Sequence, residues 1–172
     1  AAEAASLPKL ADETLRAVHR LPGAASNGVS GLAHIRGGEE LETQVIVDGL
    51  PLAEPFHLKS FFAPVSVLDP AVIDSLDVYA AAYPARWGER MSAVLDIRSV
   101  DVPADGAYEL GVSLFHTSVL AADDLADGRV RWLVAGRRSN LDEVSDLVRS
   151  DLGEPRYADV FARLEADVTD RL

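Results

Sequence analysis

The sequence of 172 residues contains no cysteine, and this absence excludes several kinds of site. Without a thiol the chain forms no disulfide, has no thiolate nucleophile and offers no Cys ligand to zinc. The four histidines, His19, His34, His57 and His116, show neither i,i+4 spacing nor a carboxylate at ligand spacing. We therefore expect neither a metal site nor a bound cofactor.

Positive charge is scarce as well. Sixteen basic residues stand against 28 acidic ones, which gives a formal net charge of -12. No run of Lys and Arg interleaves with aromatic residues, which make up only 6% of the chain. Because such a chain repels a polyphosphate backbone, the sequence argues against nucleic acid as a partner.

Long apolar runs are also missing. No stretch approaches the roughly 18 consecutive apolar residues of a membrane-spanning helix, and the first ten residues lack the basic-then-apolar pattern of a secretory signal. The hydrophobic content of 48% is nevertheless sufficient for a core. Since the chain does not start with Met, we expect a mature form or an excised piece of a longer protein.

The patterning of the segments divides the chain into two domains, residues 1–103 and 104–172. Before the boundary the segments are short and punctuated by Gly and Pro, whereas after it they are long and alternating. The charge is the same on both sides, so this division depends on segment length and periodicity alone.

The first domain is predicted to be α+β, with a small mixed β-sheet and short helices. Residues 10–23 are predicted to form a helix with Asp12 as its N-cap. Asp69, which directly precedes Pro70, predicts the start of a second helix. Four short runs bounded by turn residues are typical of strands, namely 31–38, 43–49, 74–80 and 92–100.

The second domain is predicted to consist of antiparallel strands. Residues 107–123 are predicted to form one long strand, followed by strands over 128–138 and 157–170. Residues 140–155 predict a short amphipathic helix. In the last strand, Val160, Leu164 and Val168 alternate with Arg163, Glu165 and Asp167. Such alternation fits a soluble sheet packed on a core and equally a membrane barrel.

Several motifs occur in an unbroken order that resembles the plug domain of TonB-dependent outer-membrane receptors. The resemblance covers about residues 14–100, and it is closest to the variety with His-Leu-x-x-Phe-Phe and Pro-Ala-Arg-x-Gly motifs. The matching segments are Ile35-Arg36-Gly37-Gly38, "VIVDG" at 45–49, "PFHL" at 55–58, "FFAPVSVLDPAVIDSLDVY" at 61–79 and "YPARWGERMSAVLDIRS" at 83–99. Residues 132–144 and 157–169 are similar to barrel strands of the same variety.

This resemblance implies a plug followed by the first strands of an incomplete transmembrane β-barrel in the outer membrane of a Gram-negative cell. The plug lies in the barrel lumen and faces the periplasm. The implied function is energy-coupled uptake of a scarce solute, such as a chelated metal, a glycan or a peptide. The implied partners are the inner-membrane coupling protein TonB, the solute and outer-membrane lipid. The short energy-coupling segment of the family is not visible before Leu7.

The resemblance also implies roles for individual residues. Arg36, Arg86 and Arg90 are expected to hold the plug to carboxylates of the barrel wall, because a guanidinium can bind a carboxylate bidentately. His57 is predicted either to have a structural role or to face the solute. Asp48, nine positions before it, reads as part of an Asp-Gly hairpin turn rather than as a catalytic partner.

No constellation of residues points to catalysis, so we do not expect an enzyme. The competing function is that of a soluble, non-enzymatic binding or interaction domain. The side of the membrane of residues 140–155 is open, because loop length places them outside the cell and counting strands from the plug places them in the periplasm.

Overall fold

A computed structural model describes residues 14–59, 63–81, 83, 85–88, 91–125, 127–143 and 155–167. The chain divides into two compact units, Ala1–Val100 and Asp101–Leu172. The sequence had placed the boundary between residues 103 and 104. Among the described residues, no helix is both long enough and apolar enough to cross a membrane.

The first unit contains a four-stranded mixed sheet and two small two-stranded sheets. In the main sheet the order is β4 (Leu50–Leu52), β3 (Gln44–Val47), β8 (Val94–Ser99) and β7 (Ile73–Tyr79), with β3 and β8 parallel and the other pairs antiparallel. The predicted small mixed sheet is therefore confirmed. The strands are β1 (Ala24–Ala25), β2 (His34–Ile35), β3 (Gln44–Val47), β4 (Leu50–Leu52), β5 (Phe56–His57), β6 (Val65–Ser66), β7 (Ile73–Tyr79) and β8 (Val94–Ser99).

The two central strands of the main sheet form the core of this unit. Val45, Ile46 and Val47 on β3 are all buried, and so are Val94 and Leu95 on β8. Consecutive residues of a strand point to opposite faces, so both faces of these strands are covered. This explains why they read as continuous apolar runs rather than as alternating ones.

The helices of the first unit are short 3-10 helices. The first, Thr14–Arg20, ends just before Pro22-Gly23 as predicted, whereas its predicted N-cap Asp12 lies outside the described residues. The predicted cap at Asp69 is confirmed, because its Oδ1 accepts a hydrogen bond of 2.8 Å from the Ala71 N–H. The remaining 3-10 helices are Glu40–Glu42, Pro70–Val72 and Ala85–Trp87.

The predicted strand over 31–38 is much shorter in the structure. Only His34–Ile35 is extended, because Arg36 and Gly37 both adopt positive φ angles of 54° and 79° and turn the chain. Positive φ is unfavourable for most residues but ordinary for Gly. The run therefore ends in the sharp bend that the Arg-Gly-Gly sequence predicts.

The second unit is an antiparallel meander of four strands in the order β12-β11-β10-β9. Each strand pairs with its neighbour in sequence, so the predicted antiparallel arrangement is confirmed. The strands are β9 (Ala107–Val112), β10 (His116–Leu125), β11 (Val130–Ser139) and β12 (Ala158–Ala166).

The prediction of a single strand over 107–123 is wrong, because the chain turns at residues 113–115. The Ser113 hydroxyl accepts hydrogen bonds from the N–H groups of Phe115 at 3.2 Å and His116 at 3.1 Å. The Ser113 N–H donates to the carbonyl of His116 at 2.9 Å. A serine hydroxyl thus organises a turn in a stretch that has no Gly or Pro at its centre.

The predicted helix over 140–155 falls mostly outside the described residues. Residues 141–143 are α-helical, and residues 144–154 are not described. With four strands and this connection, the second unit is β-rich, and the chain as a whole has few helices.

Candidate functional site

The sheet of the second unit has one face that is almost entirely apolar. Strand alternation and the pairing register place the same set of residues on this face in all four strands. We call this surface the apolar face. Its members are Tyr108, Leu110, Val112, Thr117, Val119, Ala121, Asp123, Leu125, Val130, Trp132, Val134, Gly136, Arg138, Ala158, Val160, Ala162, Leu164 and Ala166.

The apolar face is exposed rather than packed on a core. Val160 is 81% exposed, Leu164 is 73% exposed and Leu110 is 74% exposed. Large apolar side chains that lie side by side across several strands are rare on the water-exposed surface of a monomer. This arrangement marks the surface as one that contacts a nonpolar medium or a partner.

The polar residues of the apolar face lie toward the ends of the strands. Thr117 and Arg138 are paired in the row next to the 113–115 turn. Asp123 lies toward the opposite end, where its Oδ2 accepts a hydrogen bond of 2.6 Å from the Tyr108 hydroxyl. The rows between these ends carry no charged side chain, so the apolar face has a nonpolar middle band.

The opposite face, which we call the mixed face, carries paired charges. Arg131 lies 3.1 Å from Glu165, and Arg163 forms ion pairs with Glu165 and, at 3.5 Å, with Asp101. These charges alternate along the strands with the residues of the apolar face. The same face also carries the buried nonpolar residues of the sheet, Leu120, Ala122, Leu133 and Ala135.

The most deeply buried charge of the mixed face is Arg137, whose side chain is 1% exposed. Its Nη2 and Nε donate to Oδ2 of Asp159 at 2.7 and 3.1 Å, and its guanidinium lies 5.2 Å from the centre of the Tyr157 ring. A buried guanidinium requires such a partner, because an uncompensated buried charge is strongly destabilising. This pair therefore fixes the register between β11 and β12.

Asn140 ties the 113–115 turn to the end of β11. Its side-chain amide donates to the carbonyl of Ser113 at 2.9 Å and to the Thr117 hydroxyl at 3.1 Å. Its backbone N–H donates to the carbonyl of Phe115 at 2.9 Å. This end of the sheet is therefore held by hydrogen bonds that involve three segments of the chain.

The residues that the sequence singled out in the first domain lie on three separate elements. Arg36 is exposed in the turn after β2, where its N–H donates to the carbonyl of Gly23 at 2.7 Å. Arg86 is exposed in the 3-10 helix Ala85–Trp87, with its guanidinium 4.5 Å from the centre of the Trp87 ring. His57 is half-buried on β5, opposite Val65. Arg90 lies outside the described residues.

Asp48 and Gly49 form the predicted hairpin turn. Val47 pairs with Leu50, so the loop has two residues, and both have positive φ angles, 48° and 83°. These angles are those of a type I′ turn, for which Asp-Gly is a preferred sequence. The Asp48 carboxylate accepts two hydrogen bonds from Ser99, 2.9 Å from its N–H and 2.6 Å from its hydroxyl. Its role in this geometry is to join the hairpin to the end of β8.

The fold perturbs the protonation of His19. Burial lowers its pKa, although its contact of 3.2 Å with the carbonyl of Gly31 acts in the opposite direction. The nearby Arg16 lowers the pKa further. Within the described part of the chain, no group of three His, Asp or Glu residues could hold a metal ion.

The first unit also contains an open cleft of about 560 Å³. Leu32, Leu52 and Phe56 supply apolar walls, whereas Glu54 and Lys59 form an ion pair at its rim. Glu40 also lines the cleft, so two carboxylates and one ammonium group face it.

The sequence missed two features of the second unit. The apolar face extends over β9 and β10, but their alternation was hidden because residues 107–123 were read as one strand. The pairing of Arg137 with Asp159 was not identified either, although both lie at alternating positions of neighbouring predicted strands. Searches against protein-family models and against curated proteins found no match to this chain.

Proposed function

We propose that this chain is the plug and the first barrel strands of a TonB-dependent outer-membrane receptor. The receptor takes up a scarce solute, with energy delivered from the inner membrane by TonB. The observation that carries the proposal is the exposed apolar face. A soluble sheet would pack Val160 and Leu164 on a core, yet they are 81% and 73% exposed. Barrel strands place such residues against lipid.

The mixed face supports the same proposal. Barrel strands alternate between apolar residues toward lipid and polar residues toward the lumen. Arg131, Arg163 and Glu165 form their ion pairs on the side opposite to the apolar face. Their charges would meet a polar, plug-filled lumen, where they avoid the cost of contact with hydrocarbon.

The proposal requires more strands than the four described here. Receptors of this kind close their barrels with about 22 strands around a plugged lumen. In the described residues, β9 and β12 each pair on one side only, which leaves two edges to which further strands can add.

The four-stranded meander supports an outer position for the connection between β11 and β12 in this proposal. Ala107 pairs with Ala122 and Leu125 pairs with Val130, so β9 starts at the same end of the sheet as the turn at residues 127–129. If β9 leaves the plug on the periplasmic side, the end of β11 and the start of β12 lie at the opposite, outer end. The length of the connection between β11 and β12 also favours the outer end, because outer loops of bacterial barrels are longer than periplasmic turns.

In this proposal the arginines of the plug contact the barrel wall. Arg36 and Arg86 are both exposed, as a residue that bridges to carboxylates of the wall must be. Arg90 follows in the same segment as Arg86 and is proposed to act with it. His57 is proposed to face the solute, whose chemistry the extracellular loops would select.

The orientation can be tested by cysteine labelling in intact cells, because the chain has no cysteine of its own. Glu143→Cys and Arg129→Cys place one exposed thiol at each end of the sheet. In the full-length protein, a large membrane-impermeant maleimide should label Glu143→Cys on intact cells. It should label the matched Arg129→Cys variant only after the outer membrane has been opened.

The opposite labelling pattern would show that the sheet is inverted in the membrane. Recovery of the protein in the soluble fraction would instead favour a soluble binding domain, for which the cleft of about 560 Å³ is the supporting observation. The two results are distinct, because one concerns orientation and the other concerns membrane insertion itself.

A further inference from the structure

The apolar face contains a shallow groove of about 600 Å³ where β10, β11 and β12 meet. Its floor lies at Gly136, which has no side chain, and Val119 and Val160 stand on either side of it in the same row. We call this surface the Gly136 groove. The lining also includes Thr117, Arg138, Asn140 and Glu143.

One end of the Gly136 groove is polar and charged, with Arg138 and the acidic Glu143 both at this end. Arg138 lies there with a side chain that is 65% exposed, next to Thr117 and Asn140. Arg138 lies one row from Gly136, about 7 Å along the strand. The charged end of the groove and the nonpolar band are therefore separated by a distance that a few methylene groups of an acyl chain can span.

A buried carboxylate holds the guanidinium of Arg138 in place. Oδ2 of Asp142 lies 3.3 Å from Nη2 of Arg138 and 3.0 Å from Nε of Arg156. The Asp142 side chain is only 7% exposed, whereas both arginine side chains are about two-thirds exposed. The carboxylate thus lies beneath two guanidinium groups, and the positive charge is presented outward. The acidic Glu143 on the rim is exposed to solvent.

We propose that the Gly136 groove binds an anionic lipid through its phosphate group and one acyl chain. The phosphate lies on Arg138, because a guanidinium forms strong, charge-assisted hydrogen bonds with phosphate oxygens. The acyl chain lies over Gly136 between Val119 and Val160, where it covers apolar surface. The inference depends on the proposed function, since the apolar face must lie in a membrane for lipid to reach it.

The location of Arg138 agrees with this ligand. It lies in the last row of the apolar face before the 113–115 turn and the 140–157 connection. In a membrane this row would lie at the level of the lipid headgroups, with the nonpolar rows below it in hydrocarbon. The bound lipid is therefore one of the outer leaflet, given the orientation proposed above.

Two substitutions separate the parts of the site. Arg138→Gln removes the cation, and Gly136→Val fills the groove. A side chain at Gly136 is compatible with the fold, because an added Cβ would lie 3.7 Å from Val119 Cγ2 and 3.9 Å from the carbonyl of Asp159. Arg129→Gln serves as the matched control, since Arg129 is exposed at the other end of the same hairpin.

The test is native mass spectrometry of the full-length protein in detergent, titrated with phosphatidylglycerol. Arg138→Gln and Gly136→Val should each weaken lipid binding roughly tenfold, as expected for the loss of a charged hydrogen bond or of the acyl-chain contact. Arg129→Gln should bind like the unsubstituted protein. Arg138→Lys should restore part of the binding, and phosphatidylcholine should bind weakly to every variant.

Equal binding of phosphatidylglycerol by all variants would overturn the proposal. Binding of inorganic phosphate as tight as that of phosphatidylglycerol would also overturn it, because the acyl chain would then contribute nothing. Heat-modifiable migration on gels shows whether each variant is a folded barrel. If the unsubstituted protein lacks this property and needs no detergent, the proposed function has failed, whereas folded variants with unchanged binding reject the lipid site alone.

Discussion

Asp48 shows how one residue can combine a local and a long-range role. Its positive φ of 48° forms the hairpin turn, and its carboxylate accepts two hydrogen bonds from Ser99. The turn could be predicted because Asp-Gly after a β-branched run is a local signal. The contact with Ser99 could not, because the two residues are 51 positions apart and only the parallel pairing of β3 with β8 brings them together.

Replacement of Asp48 should therefore reveal both roles. Asp48→Ala loses two hydrogen bonds and places a strained alanine at positive φ, so we expect a loss of about 2–3 kcal/mol in the free energy of unfolding. Asp48→Asn should lose less, since Asn tolerates this conformation and keeps an acceptor for the Ser99 N–H. The measurement is urea unfolding of residues 1–103, which contain Trp87 as their single tryptophan, followed by its fluorescence.

Asp74→Ala is the control for this prediction. Asp74 is an exposed acidic residue on β7, and its removal should change the free energy of unfolding by no more than about 0.5 kcal/mol. An Asp48→Ala variant as stable as this control would show that the Ser99 contact contributes nothing to the fold.

At the scale of the elements, the alternation of residues predicted which segments form strands, but it did not predict how many strands these segments form. The strands β11 and β12 were found from their alternation, which is visible in the sequence. The 113–115 turn was missed because it depends on the Ser113 hydroxyl and on Asn140, which lies in a later segment. The error had a consequence, because one extra strand reverses the side of the membrane on which every later connection lies.

The strand β12 offers a matched test of depth in the membrane. Ala158 and Ala162 lie on the same face of this strand and are both exposed. Ala158 shares its row with Arg138, whereas Ala162 shares its row with Val134 and Ala121 in the nonpolar band. An arginine near the bilayer midplane costs about 2–4 kcal/mol, and one near the interface costs about 0–1 kcal/mol.

If these strands belong to a barrel as proposed, Ala162→Arg should lower the yield of folded, membrane-inserted protein far more than Ala158→Arg. Because both variants replace an alanine of β12 by arginine, the change in strand propensity and the added charge are the same in both. A difference in yield therefore reports the position of the residue. The measurement is the fraction of each variant that migrates as a folded barrel on unheated gels. Equal yields would remove the support for lipid on the apolar face.

At the scale of the whole molecule, the two units should behave differently when they are isolated. The first unit buries its central strands on both faces, as shown by Val45, Ile46 and Val94, which are at most 3% exposed. The second unit exposes its apolar face, and in the described residues its outer strands β9 and β12 present open edges. Exposed edges and apolar surface together promote association.

We predict that residues 1–103 alone form a soluble monomer with a cooperative unfolding transition, whereas residues 1–172 associate unless detergent is present. Gel filtration and urea unfolding of both chains measure this difference. A variant of residues 1–172 with Val160→Lys and Leu164→Lys should associate less, because it carries charge on the apolar face. A monomeric, cooperatively unfolding chain of residues 1–172, together with unfolded residues 1–103, would mean that the second unit belongs to a soluble core.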